Sequence, residues 1–243
     1  MLSLVLFCWT IIDRLIAMTE NTSAVGQTGA TALQWAVETL RNRFVEGRLL
    51  PGTPLREVSL AEDLKISRNT LREALRQLAA ENLIEVQAYR GAVVRTITAD
   101  DVRDLYLVRR TLELRAVEQS ATAAPSSLIA LATACQISEA AVSAGDWREA
   151  ATSSLRFHQA LVATLDSPRL DGFFRTVIAQ IRLAFAQGPD EAAFQSSFVP
   201  RDREVCDLMA AGSIGTAAAE LRRYLDDAEA VLLKVVLASS HHN

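Results

Sequence analysis

The segment Ser67–Leu78, SRNTLREALRQL, constrains this chain more than any other. Leu71, Ala74, Leu75 and Leu78 recur at helical spacing and form one apolar stripe, while Arg68, Arg72 and Arg76 repeat every four residues on a different face. Ser67 is placed to cap the helix, because its hydroxyl can accept from the amide of Asn69 or Thr70. Such a helix commits one side to a core and keeps a cationic side outside it. Arginines at this spacing also occur on ordinary solvated helices, so the flanking segments decide what the cationic face is for.

Upstream, Leu33, Ala36, Val37, Leu40 and Phe44 predict a helix over Ala32–Val45 that Gly47 ends. Pro51-Gly52 and Pro54 then punctuate a turn. Val58–Leu64 predicts a short helix with Leu60, Ala61 and Leu64 inward, and Lys65-Ile66 is the tight link to Ser67. Beyond Asn82, LIEVQ and AVVRTI predict two short strands joined around Ala88-Tyr89-Arg90-Gly91. Together these features predict a winged helix-turn-helix over residues 31–98, in which the helix from Ser67 enters a DNA major groove. Arg68 and Arg72 are candidates for guanine or phosphate contacts, Asn69 and Thr70 for uncharged hydrogen bonds, and Arg90 and Gly91 for the wing. Glu73 reads as structural, supporting Arg76 or pairing with the first helix.

The net charge of −4 argues against wholesale coating of nucleic acid, but its distribution is uneven. Residues 31–98 hold ten Lys/Arg against eight Asp/Glu, whereas residues 99–243 hold fourteen against nineteen. The expected partner is therefore double-stranded operator DNA, held by a local patch. Half the residues are hydrophobic, which suits a chain with real cores. Cys8, Cys135 and Cys206 are far apart, odd in number and without a CxxC pair, which suggests neither a disulfide framework nor a zinc-thiolate site. A reducing, cytoplasmic compartment is expected.

Residues 1–30 form an extension expected to be disordered or to come from an over-extended reading frame, with Met18 as the true start. The uncharged run Leu2–Ile12 is too short to span a bilayer, and no basic segment precedes it. A membrane tether is the competing reading, and no membrane partner is expected.

From Thr98 a fresh start with early acids opens a second domain, residues 99–243. Amphipathic segments near residues 101–121, 126–144, 147–165, 168–186, 200–211 and 214–237 predict an antiparallel bundle of six helices. The fold class is mainly α: an N-terminal winged helix-turn-helix plus a C-terminal all-helical bundle.

The stretch GRLLPGTPLREVSLAEDLKISRNTLREALRQLAAENLIEV…YRGAVV resembles the DNA-binding domain of GntR-family transcriptional regulators over about seventy residues. The resemblance implies that Arg68 and Arg72 contact DNA and that the wing around Gly91 meets the minor groove. Lys65 departs from the glycine common in the turn, and Asn69-Thr70 from a common Thr-Pro. LYLVRRTLE, FHQAL, DSPRL and AAGSIGTAAAELRRYL make the second half similar to the FadR-type effector (FCD) domain. That likeness implies a homodimer, a palindromic operator and a small organic effector.

Many such domains hold a divalent metal with an Asp and a His four residues apart and two later histidines. Here Ser154, His158, Asp202 and Tyr224 stand at those positions. One imidazole, one carboxylate, a serine and a tyrosine are a poor set for zinc, so no metal cofactor is expected; His158 and Asp202 are the pair for any cation that is bound. The expected pocket instead contacts an organic effector through Ser154, His158, Asp202 and Tyr224. Arg109 and Arg182 are candidates for a carboxylate or acyl effector, each also readable as a structural ion pair. The rival class, a helical small-molecule-processing enzyme with an accessory DNA module, lacks a nucleophile-base set or a phosphate-cradling loop, so no catalytic residue is assigned.

Overall fold

The computed structural model describes residues 29–87, 91–188 and 191–240. The readings of residues 1–28 and of Arg90 lie outside them. Three helices come first: α1 (Gly29–Val45), α2 (Glu57–Asp63) and α3 (Arg68–Ala80). An antiparallel hairpin, β1 (Ile84–Gln87) and β2 (Gly91–Val94), follows in the register Ile84↔Val94 to Gln87↔Gly91. The turn after α1 lies along the hairpin's open edge, where Leu55 N–H donates to Ala92 O (2.8 Å) and Val94 N–H to Thr53 O (2.9 Å). This third segment leaves the two-stranded ribbon less exposed.

Leu71, Ala74, Leu75 and Leu78 of α3 are buried together with Ala36, Val37, Leu40 and Phe44 of α1. The Ser67 hydroxyl accepts from Thr70 N at 3.0 Å, which sets where α3 begins. Lys65, in the link before it, has φ +54°, a left-handed conformation that explains why glycine suits this position.

A capping box opens the next helix: Thr98 Oγ1 accepts from Asp101 N (3.2 Å), and the Asp101 carboxylate accepts from Thr98 N (2.8 Å). From there α4 (Ala99–Gln119), α5 (Pro125–Ala144), α6 (Trp147–Ala163), α7 (Pro168–Phe185), α8 (Glu191–Ala210) and α9 (Ile214–Ser240) form the bundle. One expected boundary needs correction. The helix predicted to start at Pro200 instead begins at Glu191 and carries Pro200 in its interior. An interior proline costs about 3 kcal/mol, but the preceding turns bury Gln195, Phe198 and Val199, which anchors them as helix. Among the described residues α5 is the helix long and apolar enough to cross a membrane; here it buries Leu131, Ala134, Cys135, Ser138 and Ala141 in the bundle.

The two halves meet along α1, the end of α3 and α7. Glu81, which caps the C-terminal end of α3, receives Arg41 at 2.8 and 3.2 Å, and its carbonyl accepts from Gln180 Nε2 of α7 at 2.7 Å. Arg175 of α7 reaches Glu38 of α1 at 2.7 Å.

Candidate DNA-reading helix and buried polar centre

The start of α3 faces solvent. Arg68, Asn69 and Arg72 are exposed, and Thr70 is half-buried with its hydroxyl against Ser67 Oγ at 2.8 Å. Arg72 Nε pairs with Glu57 Oε2 of α2 at 2.7 Å, an exposed and exchangeable contact that holds the guanidinium near the helix start. Glu73 pairs with Arg76 at 2.8 Å, the first of its two structural readings. Gly91, at φ +72°, opens β2 with open space around it.

In the bundle, α4, α6, α8 and α9 bring Arg109, Glu113, Ser154, His158, Asp202 and Tyr224 into one buried group. Arg109 Nε donates to Glu113 Oε1 at 2.6 Å, and His158 Nδ1 meets Glu113 Oε2 at 2.7 Å. His158 Nε2 faces Tyr224 Oη at 3.0 Å and Asp202 Oδ1 at 3.4 Å, while Ser154 Oγ donates to Asp202 Oδ2 at 2.6 Å. Burial opposes ionisation of Glu113, yet Arg109 and His158 beside it hold its carboxyl below the ordinary range. For Asp202 burial outweighs the opposing pull of His158 and of the Ser154 hydrogen bond, and pushes its carboxyl up to about 6. Burial, then the charge of Asp202, raises Tyr224 well above a free phenol, so it stays protonated.

Two polar atoms of this centre, Arg109 Nη2 and Asp202 Oδ1, are buried without a hydrogen-bond partner among the described residues, as is Gln195 Oε1 on α8. Such atoms are uncommon and costly. Next to the centre lies an apolar cavity of about 440 Å³ lined by Phe185, Phe194, Phe198, Leu232 and Val235. The Phe198 ring meets Tyr224 edge-on at 5.1 Å and so forms the wall between the two.

Arg182 takes the second of its two readings, the structural ion pair. Its buried side chain pairs with Glu191 and lies against Gly47, where a Cβ would stand 2.5 Å from Nη2. That places it at the contact between the halves, because α7 turns this position toward the loop after α1. Glu113 is the residue that sequence reasoning missed. Its spacing of four from Arg109 was the available signal. For a metal, the donor set does not fit: His158 is bonded through both ring nitrogens, Tyr224 is held protonated, and Ser154 already donates to Asp202.

A winged helix-turn-helix joined to a helical bundle with a buried polar centre defines a two-part regulator, with one part shaped for DNA and one for a signal. The profile described as "Bacterial regulatory proteins, gntR family" matches residues 34–94, and that of the FCD domain matches residues 104–227. The chain belongs to the GntR family, whose members are transcriptional regulators and not enzymes. It is similar to a GntR transcriptional regulator of Rhodococcus sp. RHA1, with 32% identity, a TM-score of 0.77, and coverage of 84% of this chain and 98% of that one. It is 44% identical over 81 residues to the HTH-type transcriptional regulator BphR of Paraburkholderia xenovorans, covering 33% of each. It is 30% identical over 138 residues to the gluconate operon transcriptional repressor of Bacillus licheniformis, covering 56% of each. The chain thus spans about a third to a half of the length of these two curated relatives.

Proposed function

We propose that this protein is a ligand-responsive repressor that binds a palindromic operator as a cytoplasmic homodimer. The observation that carries the reading is α3: a capped helix with its apolar stripe fully packed and Arg68, Asn69 and Arg72 presented from its first turns. In the complex Arg72 leaves Glu57 for a base edge or phosphate, and Arg68, Thr70, Arg90 and Gly91 complete the contact. A dimer places two such helices in successive grooves. Leu128 and Ile129, apolar side chains exposed near the start of α5, offer contacts for the second copy.

The effector site is the buried centre with the cavity beside it. Arg109 Nη2 supplies an unused donor for a carboxylate or acyl oxygen, with Ser154, His158, Asp202 and Tyr224 as polar neighbours, and the phenylalanine-lined cavity suits an apolar tail. The signal passes to DNA through the contact of α7 with Glu81, since that residue caps the helix that reads the groove.

A thermal-shift series with straight-chain carboxylates tests the effector class. Stabilisation that grows with chain length, and that Val235→Phe abolishes by narrowing the cavity, supports it. Equal response of wild type and variant to every chain length contradicts it.

A further inference from the structure

The apolar cavity and the DNA-binding half touch the same buried side chain. Arg182, near the end of α7, is 3% exposed. On one side its guanidinium pairs with Glu191, which lines the phenylalanine cavity. On the other it lies over Gly47, where a Cβ would stand 2.5 Å from Nη2, 3.0 Å from Nε and 3.1 Å from Cζ. Gly47, at φ +66°, closes α1: its N–H donates to Phe44 O, and Arg48 N–H donates to Arg43 O, each at 2.9 Å. The guanidinium thus stands at the C-terminal end of α1, where the last carbonyls of a helix favour a cation.

The turn after α7 is tied to both halves as well. Gln187 Nε2 donates to Ile97 O at 3.2 Å, in the segment leading from β2 to α4, and Ser239 Oγ of α9 donates to Gln187 O at 3.0 Å. Val235 of α9, another cavity residue, packs directly on this turn. Its two methyl carbons lie 3.1 and 3.3 Å from where a Gly188 Cβ would stand. A bulkier group at Val235 therefore pushes on the backbone between α7 and Glu191.

We propose that Arg182 is a positioning residue that makes the seat of α1 depend on what fills the cavity. This rests on the reading that the cavity belongs to the effector site. The physical cause is the cost of a buried charge. Glu191 compensates Arg182, whose Nε is already without a hydrogen-bond partner among the described residues. A ligand that displaces Glu191 from the cavity wall leaves a buried guanidinium uncompensated. The guanidinium then leaves its place over Gly47 to reach water, and the last turn of α1 loses the side chain packed on it. Because Leu40 and Phe44 of α1 share a core with Leu71 and Leu78 of α3, a shift of α1 is felt by α3.

The test needs no effector, because a side chain can fill the cavity. Hydrogen exchange of the full chain, followed by mass spectrometry, reads the amides of residues 43–48 in wild type, Val235→Phe, Glu191→Gln and the double variant. Val235→Phe should speed their exchange roughly five-fold or more, with an unchanged circular dichroism spectrum. Glu191→Gln should do the same without any change in cavity volume, and the double variant should add little to either, since both act through Arg182. Val231→Phe enters the same cavity from a more exposed position and replaces the first arm if Val235→Phe does not fold. Unchanged exchange of residues 43–48 in a folded cavity variant, or a double variant whose effect is the product of the two single ones, overturns the proposal. The straight-chain carboxylate series reports on the effector class separately: no stabilisation there, with the variants behaving as stated, removes that class and leaves the role of Arg182 standing.

Discussion

Glu113 is a buried carboxylate committed to two partners. It accepts from Arg109 and meets His158 with no exposure to solvent, so removing its charge leaves a buried guanidinium uncompensated. Glu113→Gln should therefore cost roughly 3–5 kcal/mol in urea unfolding; a loss below about 1 kcal/mol, the range of exposed pairs, would contradict this placement. Asp202 behaves in the opposite sense. Its folded carboxyl titrates at about 6, above its ordinary value of 3.8, so the native state holds a proton there that the unfolded state has released. The contribution of Asp202 to stability is greatest in acid and declines as the pH rises through that window. The melting temperature of Asp202→Asn relative to wild type should accordingly climb between about pH 4 and pH 7; a flat or falling difference would refute the assignment. Ser154, His158, Asp202 and Tyr224 were legible through the family resemblance, which gives positions. Glu113 and the true place of Arg182 were not, because the partner of a buried charge depends on how helices distant in sequence are turned toward one another.

At the scale of elements, α3 was the most legible part of the chain. Ser67 marks its start, the stripe of Leu71, Ala74, Leu75 and Leu78 marks its inner face, and both signals are local. The start of α8 was hidden for the converse reason. Pro200 reads as a helix boundary from sequence, and only the burial of Phe198 and Val199 beside it keeps the helix running through. The link before α3 holds a strain visible at one residue. Lys65 sits at φ +54°, where a side chain costs energy that glycine avoids. Lys65→Gly should stabilise the protein by about 1 kcal/mol, read as a rise in the urea midpoint; a lower midpoint would show that the Lys65 side chain makes a contribution exceeding its backbone cost.

For the whole molecule, composition and charge distribution identified two halves of different character, but not how they are coupled. That coupling runs through Arg41, Glu81, Arg175 and Gln180, polar residues that look like ordinary surface in the sequence. It makes the end of α3 part of the same interface as α7, next to the helix that carries Ser154 and His158. Because His158 is bonded through both ring nitrogens and Ser154 donates to Asp202, the centre is a poor donor set for a metal, and chelation should leave its stability unchanged. Adding EDTA to purified protein should shift neither the melting temperature nor operator release; a lowered melting temperature would show that a metal belongs to the centre after all. The proposed role of α3 is to read DNA. It is tested most directly by anisotropy titrations of duplex fragments that the protein itself enriches from genomic DNA, comparing wild type with Arg72→Ala at fixed moderate salt. Arg72→Ala should lose roughly ten-fold or more in affinity with an unchanged circular dichroism spectrum, and equal affinities for the two proteins would refute the role of α3.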